Sequence, residues 1–191
     1  MPFPIGKRSP APPRPAYGSW HSACIVAGVK RIALSLALLG LAATATVAAA
    51  AADAEPLLIY NPSQSVPSGF YLRADRSPRR GDYVTVAAAR VAPDYTALRD
   101  YADPTDRFLK RVAAGAGQRV CAEGADVSVD GEAVALRFAQ DGQGRALPTW
   151  RGCHTLTEGE VFLLGDTPDS FDGRYWGPTH VHLIDGVWTP L

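Results

Sequence analysis

A run of 21 residues without a single charge, 32–52, divides this chain and limits what either side of it can become. It is built only from Ile, Leu, Val, Ala, Gly, Ser and Thr. As an α-helix it reaches about 32 Å at 1.5 Å per residue, just enough to cross the hydrocarbon of a bilayer. Lys30 and Arg31 stand immediately before it, and Asp53 and Glu55 follow it closely. Basic flanks stay on the cytoplasmic side, so the pattern predicts an N-terminus inside and residues 53–191 outside. The competing reading is a cleaved secretory signal peptide, with Ala48, Ala50 and Ala52 offering small-residue cleavage sites. Against it stand the long leader before the run and an apolar stretch beyond the usual signal-peptide core. Either way the body of the protein is exported.

Charge divides at the same place. The whole chain carries a formal net charge of zero, yet residues 1–52 hold five basic residues and no acid. The remainder holds 14 basic against 19 acidic residues. Such a balance gives no bulk attraction to a polyanion and argues against nucleic acid as a partner. With 191 residues, 47% hydrophobic and 20% charged, the chain is a packed domain plus an appendage and not a disordered polymer. Pro2 to Pro15, rich in proline and basic residues, reads as a disordered tail within a cytoplasmic segment 1–31. Cys24 precedes the apolar run and has no evident role. Cys121 and Cys153 lie in the exported part, where a disulfide persists. If joined, they close a loop worth about 3.7 kcal/mol on a chain-entropy argument. With His154 as their only neighbour of ligating type they are too few for a metal site, and neither a metal nor a cofactor is expected.

Strand signals dominate the exported body. Residues 57–60, 69–72, 82–86, 108–112 and 161–164 are short apolar or alternating runs punctuated by Gly and Pro. Val127-Ser128-Val129 followed by Asp130-Gly131 predicts a strand entering a type I′ hairpin turn. His180 to Ile184, then Asp185-Gly186, then Val187-Trp188-Thr189 predicts a second hairpin. Helical signal is weak, with one candidate at Asp94 to Tyr101 inside a polar stretch, 88–107, that resembles an inserted loop or lid. The expected fold is mostly β, a small antiparallel β-sheet or barrel-like domain with long loops, preceded by one transmembrane helix.

Three places concentrate chemistry. The first runs from Asn61 to Tyr71, where Ser63 and Ser65 sit between Pro62 and Pro67. Proline stiffens this backbone, and in an extended segment positions i and i+2 face one way. One hydroxyl is then placed to attack while the other donates to a developing oxyanion. A turn-rich loop with solvated serines is the plain alternative. The second is Lys110, the single lysine of the exported body against 13 arginines. It shares a strand face with Phe108 and Val112, and if that face is buried, desolvation pushes its pKa toward neutrality. Arginine cannot play that part, because it keeps its proton. An ordinary surface lysine in an arginine-rich chain remains the alternative. The third is Gly165 to Pro178, with Asp166, Asp169, Asp172, Ser170 and Arg174 after an apolar strand. A calcium loop lacks its glutamate and glycine spacing here, and a buried Asp–Arg pair braced by aromatics accounts for the residues equally well. His154, His180 and His182 have no nucleophile motif near them and read as structural.

In this order the three places resemble the type I signal peptidase family, and most closely its conjugative-transfer branch, the TraF-type peptidases. Asn61-x-Ser63-x-Ser65-x-Pro67-x-Gly69-x-Tyr71 looks like that branch's nucleophile box. Phe108 to Ala113 looks like its lysine box, and Gly165-Asp166 with Ser170 to Pro178 like its C-terminal box. Ordinary signal peptidases place Met after the nucleophile and read Gly-Asp-Asn in the last box, whereas Val66 and Thr167 stand here. Both departures favour the TraF-type branch, as does the Cys121 and Cys153 pair. The resemblance implies a Ser/Lys dyad, with Ser65 as nucleophile and Lys110 as general base. It further implies Ser63 as oxyanion donor, Ser170 orienting the lysine, and Asp172 with Arg174 holding the loop that presents Ser170. It implies a single-pass protein of the bacterial inner membrane with a periplasmic catalytic domain at 53–191. Its partners would be the membrane and a precursor protein, pilin subunits of a conjugative system, which it processes by hydrolysis or by cyclisation. Two rivals stand beside it. One is a membrane-tethered exported β module that binds a partner and catalyses nothing. The other is a self-cleaving repressor-type protease, which needs a DNA-binding segment.

Overall fold

The computed structural model describes residues 34–46 and 55–191, except 100, 102 and 104. The chain divides into two units, 1–55 and 56–191. In the first, residues 34–46 form helix α1, thirteen residues long and uncharged. At 1.5 Å per residue this is about 20 Å, and among the described residues no helix is long and apolar enough to cross a membrane. The tail 1–31, Cys24 and both ends of the expected 32–52 span lie outside the described residues.

The second unit is mostly β. Its strands are β1 (Leu58–Asn61), β2 (Gly69–Ala74), β3 (Tyr83–Ala87), β4 (Arg107–Ala114), β5 (Arg119–Glu123), β6 (Asp126–Val129), β7 (Glu132–Leu136), β8 (Gly152–Thr155), β9 (Glu160–Leu164), β10 (Thr179–His180) and β11 (Ile184–Pro190). They form a seven-stranded sheet in the order β1-β2-β11-β3-β4-β9-β10 and a four-stranded sheet in the order β7-β6-β5-β8. Every ladder is antiparallel. No ladder joins β1 to β10 among the described residues, so the larger sheet is open and the barrel-like expectation gives way to two sheets. Among the described residues of this unit, helical structure is limited to single turns, α2 (Ala88–Val91), α3 (Pro93–Ala97) and α4 (Gly173–Trp176), besides a 3-10 turn at Val181–Leu183. The helix expected at 94–101 is thus shorter and earlier, because Pro93 supplies a first-turn residue and Leu98 already caps the end.

Side-chain alternation places the larger sheet between two apolar layers. Val84 and Val86 of β3 meet Phe108 and Val112 of β4 in one cluster. Tyr83 and Leu109, one position out of phase, meet Val66, Tyr71 and Trp188 in another. Lys110 opposes Val84 in the β3–β4 ladder and lies between Phe108 and Val112 along β4. A third cluster fills the smaller sheet around Val120, Val127, Leu156 and Phe162.

The two Asp-Gly pairs part company. Asp130 and Gly131 both have positive φ, 52° and 87°, and close the two-residue turn between β6 and β7. Asp185-Gly186 makes no hairpin. It sits inside the continuous strand β11, where the register against β3 shifts between Ile184 and Gly186. β11 is paired on both sides, with β2 and β3, so the extra residue is absorbed as a bulge. A Cβ on Gly186 would lie 3.0 Å from the Trp188 indole nitrogen, so a side chain there requires the indole to shift.

Candidate active site

Two loops meet at one lysine. The first leaves β1 at Asn61 and returns through Pro67 to β2. The buried Asn61 side chain gathers it. Its Nδ2 donates to the carbonyls of Ser63 (3.0 Å), Val66 (3.2 Å) and Pro67 (3.0 Å), and its Oδ1 accepts from the Ser63 N–H (3.1 Å). The Tyr71 hydroxyl donates to the Pro67 carbonyl from below. This binds the loop to its own base and presents Ser63 and Ser65 on one side, their Oγ atoms 2.9 Å apart.

The second loop follows β9 and is organised by a buried ion pair. Asp172 is fully buried and Arg174 is 2% exposed. Oδ1 of Asp172 accepts from the Arg174 backbone N–H (3.0 Å) and Nε (2.8 Å), capping α4. Its Oδ2 accepts from the Arg174 guanidinium (2.9 Å) and from the Gly165 N–H (2.7 Å). The remaining guanidinium hydrogens go to the carbonyls of Pro168 (2.6 Å), Thr167 (3.1 Å) and, in β7, Leu136 (3.4 Å). Every turn of this loop therefore refers back to one pair of charges, and Ser170 sits in its middle.

Lys110 reaches from β4 into the junction. Its Nζ lies 2.9 Å from Ser65 Oγ and 3.1 Å from Ser170 Oγ. The residue is 4% exposed. Burial among apolar neighbours pushes its pKa down from 10.5 to about 8, against the pull of Asp172 and with a further push from Arg174. In its neutral form an amine so placed has the geometry to take a proton from the hydroxyl it faces.

The loops also touch directly. The Asp166 N–H donates to the Ser65 carbonyl at 2.6 Å. A Cβ on Gly165 would fall 2.0 Å from Ser170 Oγ and 2.8 Å from the Ser65 carbonyl oxygen, so only glycine lets the loops close on the lysine. Outside this contact, Arg111 makes a two-pronged pair with Asp166 (2.8 and 2.6 Å) and a hydrogen bond to the Tyr83 hydroxyl.

Ser63, Ser65, Lys110, Ser170, Asp172 and Arg174 thus fall together, although they span more than a hundred residues of chain. Cys121 and Cys153 face each other across β5 and β8 and are joined by a disulfide. It belongs to the smaller sheet and takes no part in the junction. His154 pairs with Glu160, and His180 stacks on His182. Among the described residues no cluster of His, Cys, Asp or Glu has metal-binding geometry. Sequence reasoning assigned no part to Asn61, Gly165 or the Arg111–Asp166 pair. Asn61 carried a signal, since an asparagine before proline at a strand end is a turn former. Opposite charges at Arg111 and Asp166, inside two of the three motifs, were a second.

Comparison with known proteins adds independent support for kinship. A family model described as signal peptidase, peptidase S26, matches residues 29–189. The chain is similar to two Escherichia coli proteins, each called plasmid transfer protein TraF. One is 33% identical over 142 residues, covering 69% of this chain and 80% of the relative. The other is 30% identical over 174 residues, covering 85% and 96%. A crystal structure of a signal peptidase I from Enterococcus faecalis matches with 21% identity and a TM-score of 0.36, covering 61% of this chain and all of that one.

Proposed function

The chain belongs to the signal peptidase family, peptidase S26, and we propose that it is a serine endopeptidase working through a Ser65–Lys110 dyad. The observation that carries this reading is the 2.9 Å contact between Ser65 Oγ and the Nζ of a buried lysine whose pKa is lowered to about 8. Neutral Lys110 takes the Ser65 proton as Oγ attacks the scissile carbonyl. The negative charge collects on the former carbonyl oxygen, beside the Ser65 N–H and the Ser63 hydroxyl. Without substrate these two groups hold each other, the Ser65 N–H donating to Ser63 Oγ at 3.1 Å. The arriving oxygen takes both hydrogens once the Ser63 hydroxyl turns toward it. When the C–N bond breaks, Lys110 returns the proton to the departing amine and leaves an acyl ester on Ser65. Water, activated by the same lysine, then releases the new carboxylate and restores the serine. Ser170 keeps the amine aimed at Ser65, and the Asp172–Arg174 pair keeps Ser170 in place.

The reading extends to place and substrate. The uncharged run 32–52 between Lys30-Arg31 and Asp53 supports a single-pass anchor in a bacterial inner membrane. The Cys121–Cys153 disulfide supports a periplasmic body. The two plasmid transfer relatives support a precursor exported for conjugation, a pilin subunit, as the substrate.

The test is processing of a co-expressed precursor by the full chain. Ser65→Ala and Lys110→Ala abolish it while the fold survives. Lys110→Arg is equally dead, because its guanidinium holds its proton. In the wild type, kcat/KM rises with pH and levels off above an apparent pKa near 8. An active arginine variant ends the general-base assignment.

A further inference from the structure

The polar stretch 88–107, which reads in the sequence as an inserted loop or lid, has its roots in the core. Ala88 opens α2 and Ala92 closes it, and both are buried in the cluster that holds Phe108 and Val112. Val91 and Tyr95 pack against that cluster, as do Phe171 and Trp176 from the segment after β9. We propose that Tyr95 is a positioning residue for the dyad: through Phe171 it holds Ser170 against the Lys110 amine and keeps water from that amine, so that 88–107 braces the site and does not cover it. The inference rests on the peptidase reading above and gives that site a support outside its three motifs.

Two rows of rings lead from this segment to one nitrogen. In the first, Tyr95 stacks on Phe171, with centroids 3.4 Å apart and planes 11° from parallel. Phe171 follows Ser170 in the chain, and Ser170 Oγ lies 3.1 Å from Lys110 Nζ. Consecutive Cα atoms stand about 3.8 Å apart, so a displaced Phe171 ring carries Ser170 with it. In the second row, Tyr101 meets Phe108 edge to face at 5.5 Å, and Lys110 Nζ lies 5.8 Å from the Phe108 ring, two residues away on the same strand face. The rows join where Phe108 meets Phe171 at 5.8 Å. Tyr95 is clamped in its place. Its other face carries the Arg99 guanidinium, 3.9 Å from the ring centroid. Arg99 in turn donates to Oδ2 of Asp141 (3.1 and 2.9 Å), whose Oδ1 accepts from the backbone N–H groups of Gln143 and Arg145. The clamp thus ends on the loop after β7.

The brace excludes water without adding charge. Arg99 is paired with Asp141, and burial raises the pKa of Tyr95, so its phenol stays neutral. The charges that act on Lys110 come from the Ser170 loop. Asp172, Asp166 and Asp169 favour its protonated form and Arg174 opposes them, while Asp166 is itself paired with Arg111. Val84, across the ladder from the lysine, and the Ser65 loop bring no charge. Burial outweighs the three carboxylates in holding Lys110 down at about 8, and burial is the contribution the rings make.

The experiment uses the detergent-solubilised full chain carrying carbon-13 lysine. The chain has three lysines, Lys7, Lys30 and Lys110, and the Lys110 signal is the one that Lys110→Met removes. Its Cε shift, followed against pH, reads the titration of the amine without any substrate. Tyr95→Ala moves the midpoint up by about one pH unit, toward the usual lysine value. It also slows processing of a co-expressed precursor by about tenfold. Tyr95→Phe, which keeps the ring, restores both. Tyr95→Leu shifts the midpoint less in the same direction, and it serves if the alanine variant does not fold. Val120→Ala, in the core of the smaller sheet, lowers the unfolding temperature and leaves the midpoint where it was. An unmoved midpoint in the Tyr95 variants overturns the proposal, as does an equal shift in Val120→Ala. A shifted midpoint in a protein that cleaves no precursor when unmutated keeps the brace and removes the peptidase reading. Cleavage by the unmutated chain with an unmoved midpoint in Tyr95→Ala and Tyr95→Leu does the reverse.

Discussion

The two loops that meet at Lys110 are held by opposite means. The Ser63–Ser65 loop is gathered by one neutral amide, Asn61, and by short contacts to its own backbone. The Ser170 loop is gathered by a pair of full charges, Asp172 and Arg174, taken almost completely out of water. On the proposed function the first arrangement suits a loop that accepts a substrate, because Ser63 is exposed and Ser65 half-buried. The second suits a loop whose one task is to keep a hydroxyl against an amine. A buried ion pair adds little net stability over a well-packed apolar pair, yet it is costly to break. Its value here is that Asp172 and Arg174 together bind four backbone groups of the same loop and a fifth, the Leu136 carbonyl, in β7.

The largest expected effect therefore comes from halving the ion pair. Asp172→Ala leaves Arg174 buried without its counter-charge and costs about 3–5 kcal/mol of unfolding free energy. Urea denaturation of the purified protein measures it, and turnover falls with it because Ser170 loses its support. A loss below about 1 kcal/mol means that water reaches Arg174 and that the charges do not hold the loop.

Lys110 itself joins the two loops at the expense of the fold. A lysine whose pKa falls from 10.5 to about 8 in the folded protein destabilises it by about 3 kcal/mol at neutral pH. Between about pH 8 and 10.5 the unfolded chain binds the proton and the folded one does not, so stability rises with pH across that window. Lys110→Met removes the cost but deprives the buried Ser170 hydroxyl of a partner, worth about 1 kcal/mol. The variant is inactive and more stable than wild type by about 2 kcal/mol at pH 7, and it loses the advantage above about pH 10. Thermal or urea unfolding at pH 7, 9 and 10.5 follows the crossing. A constant difference across this range excludes a lowered lysine pKa.

What could be read in advance follows from how local each signal is. Strands β1 to β4 and β9 show as apolar runs, and the Asp130-Gly131 turn carries its own positive-φ residues. Asp185-Gly186 has the same letters and no turn, because the flanking strand partners, which lie a hundred residues upstream, decide between a hairpin and a bulge. Strands β5, β7 and β8 are short and mostly small or polar, and they become strands through the partners they find in the smaller sheet. Ser65 and Lys110 could be singled out because the proposed chemistry demands those residue types, and the structure brings the two side chains into contact. The role of Gly165 could not be read, since it arises only where Ser170 and the Ser65 carbonyl converge in space.

The smallest effect separates the loops most cleanly. Asn61→Ala removes the donor to three carbonyls and the acceptor for the Ser63 N–H. Ser63 and Pro67 are exposed, so water takes over much of that bonding and the expected loss is only about 1 kcal/mol. Turnover responds far more. The distance from Ser65 to Lys110 and the placing of the Ser63 hydroxyl both depend on the loop's curvature, and a shift near 1 Å costs about a hundredfold in rate. Asn61→Ala should thus show a large fall in kcat with a nearly unchanged unfolding midpoint, whereas Asp172→Ala lowers both. Parallel losses in the two variants would mean that both loops are structural to the same degree. The division between an adaptable nucleophile loop and a rigid lysine-orienting loop would then have no physical basis.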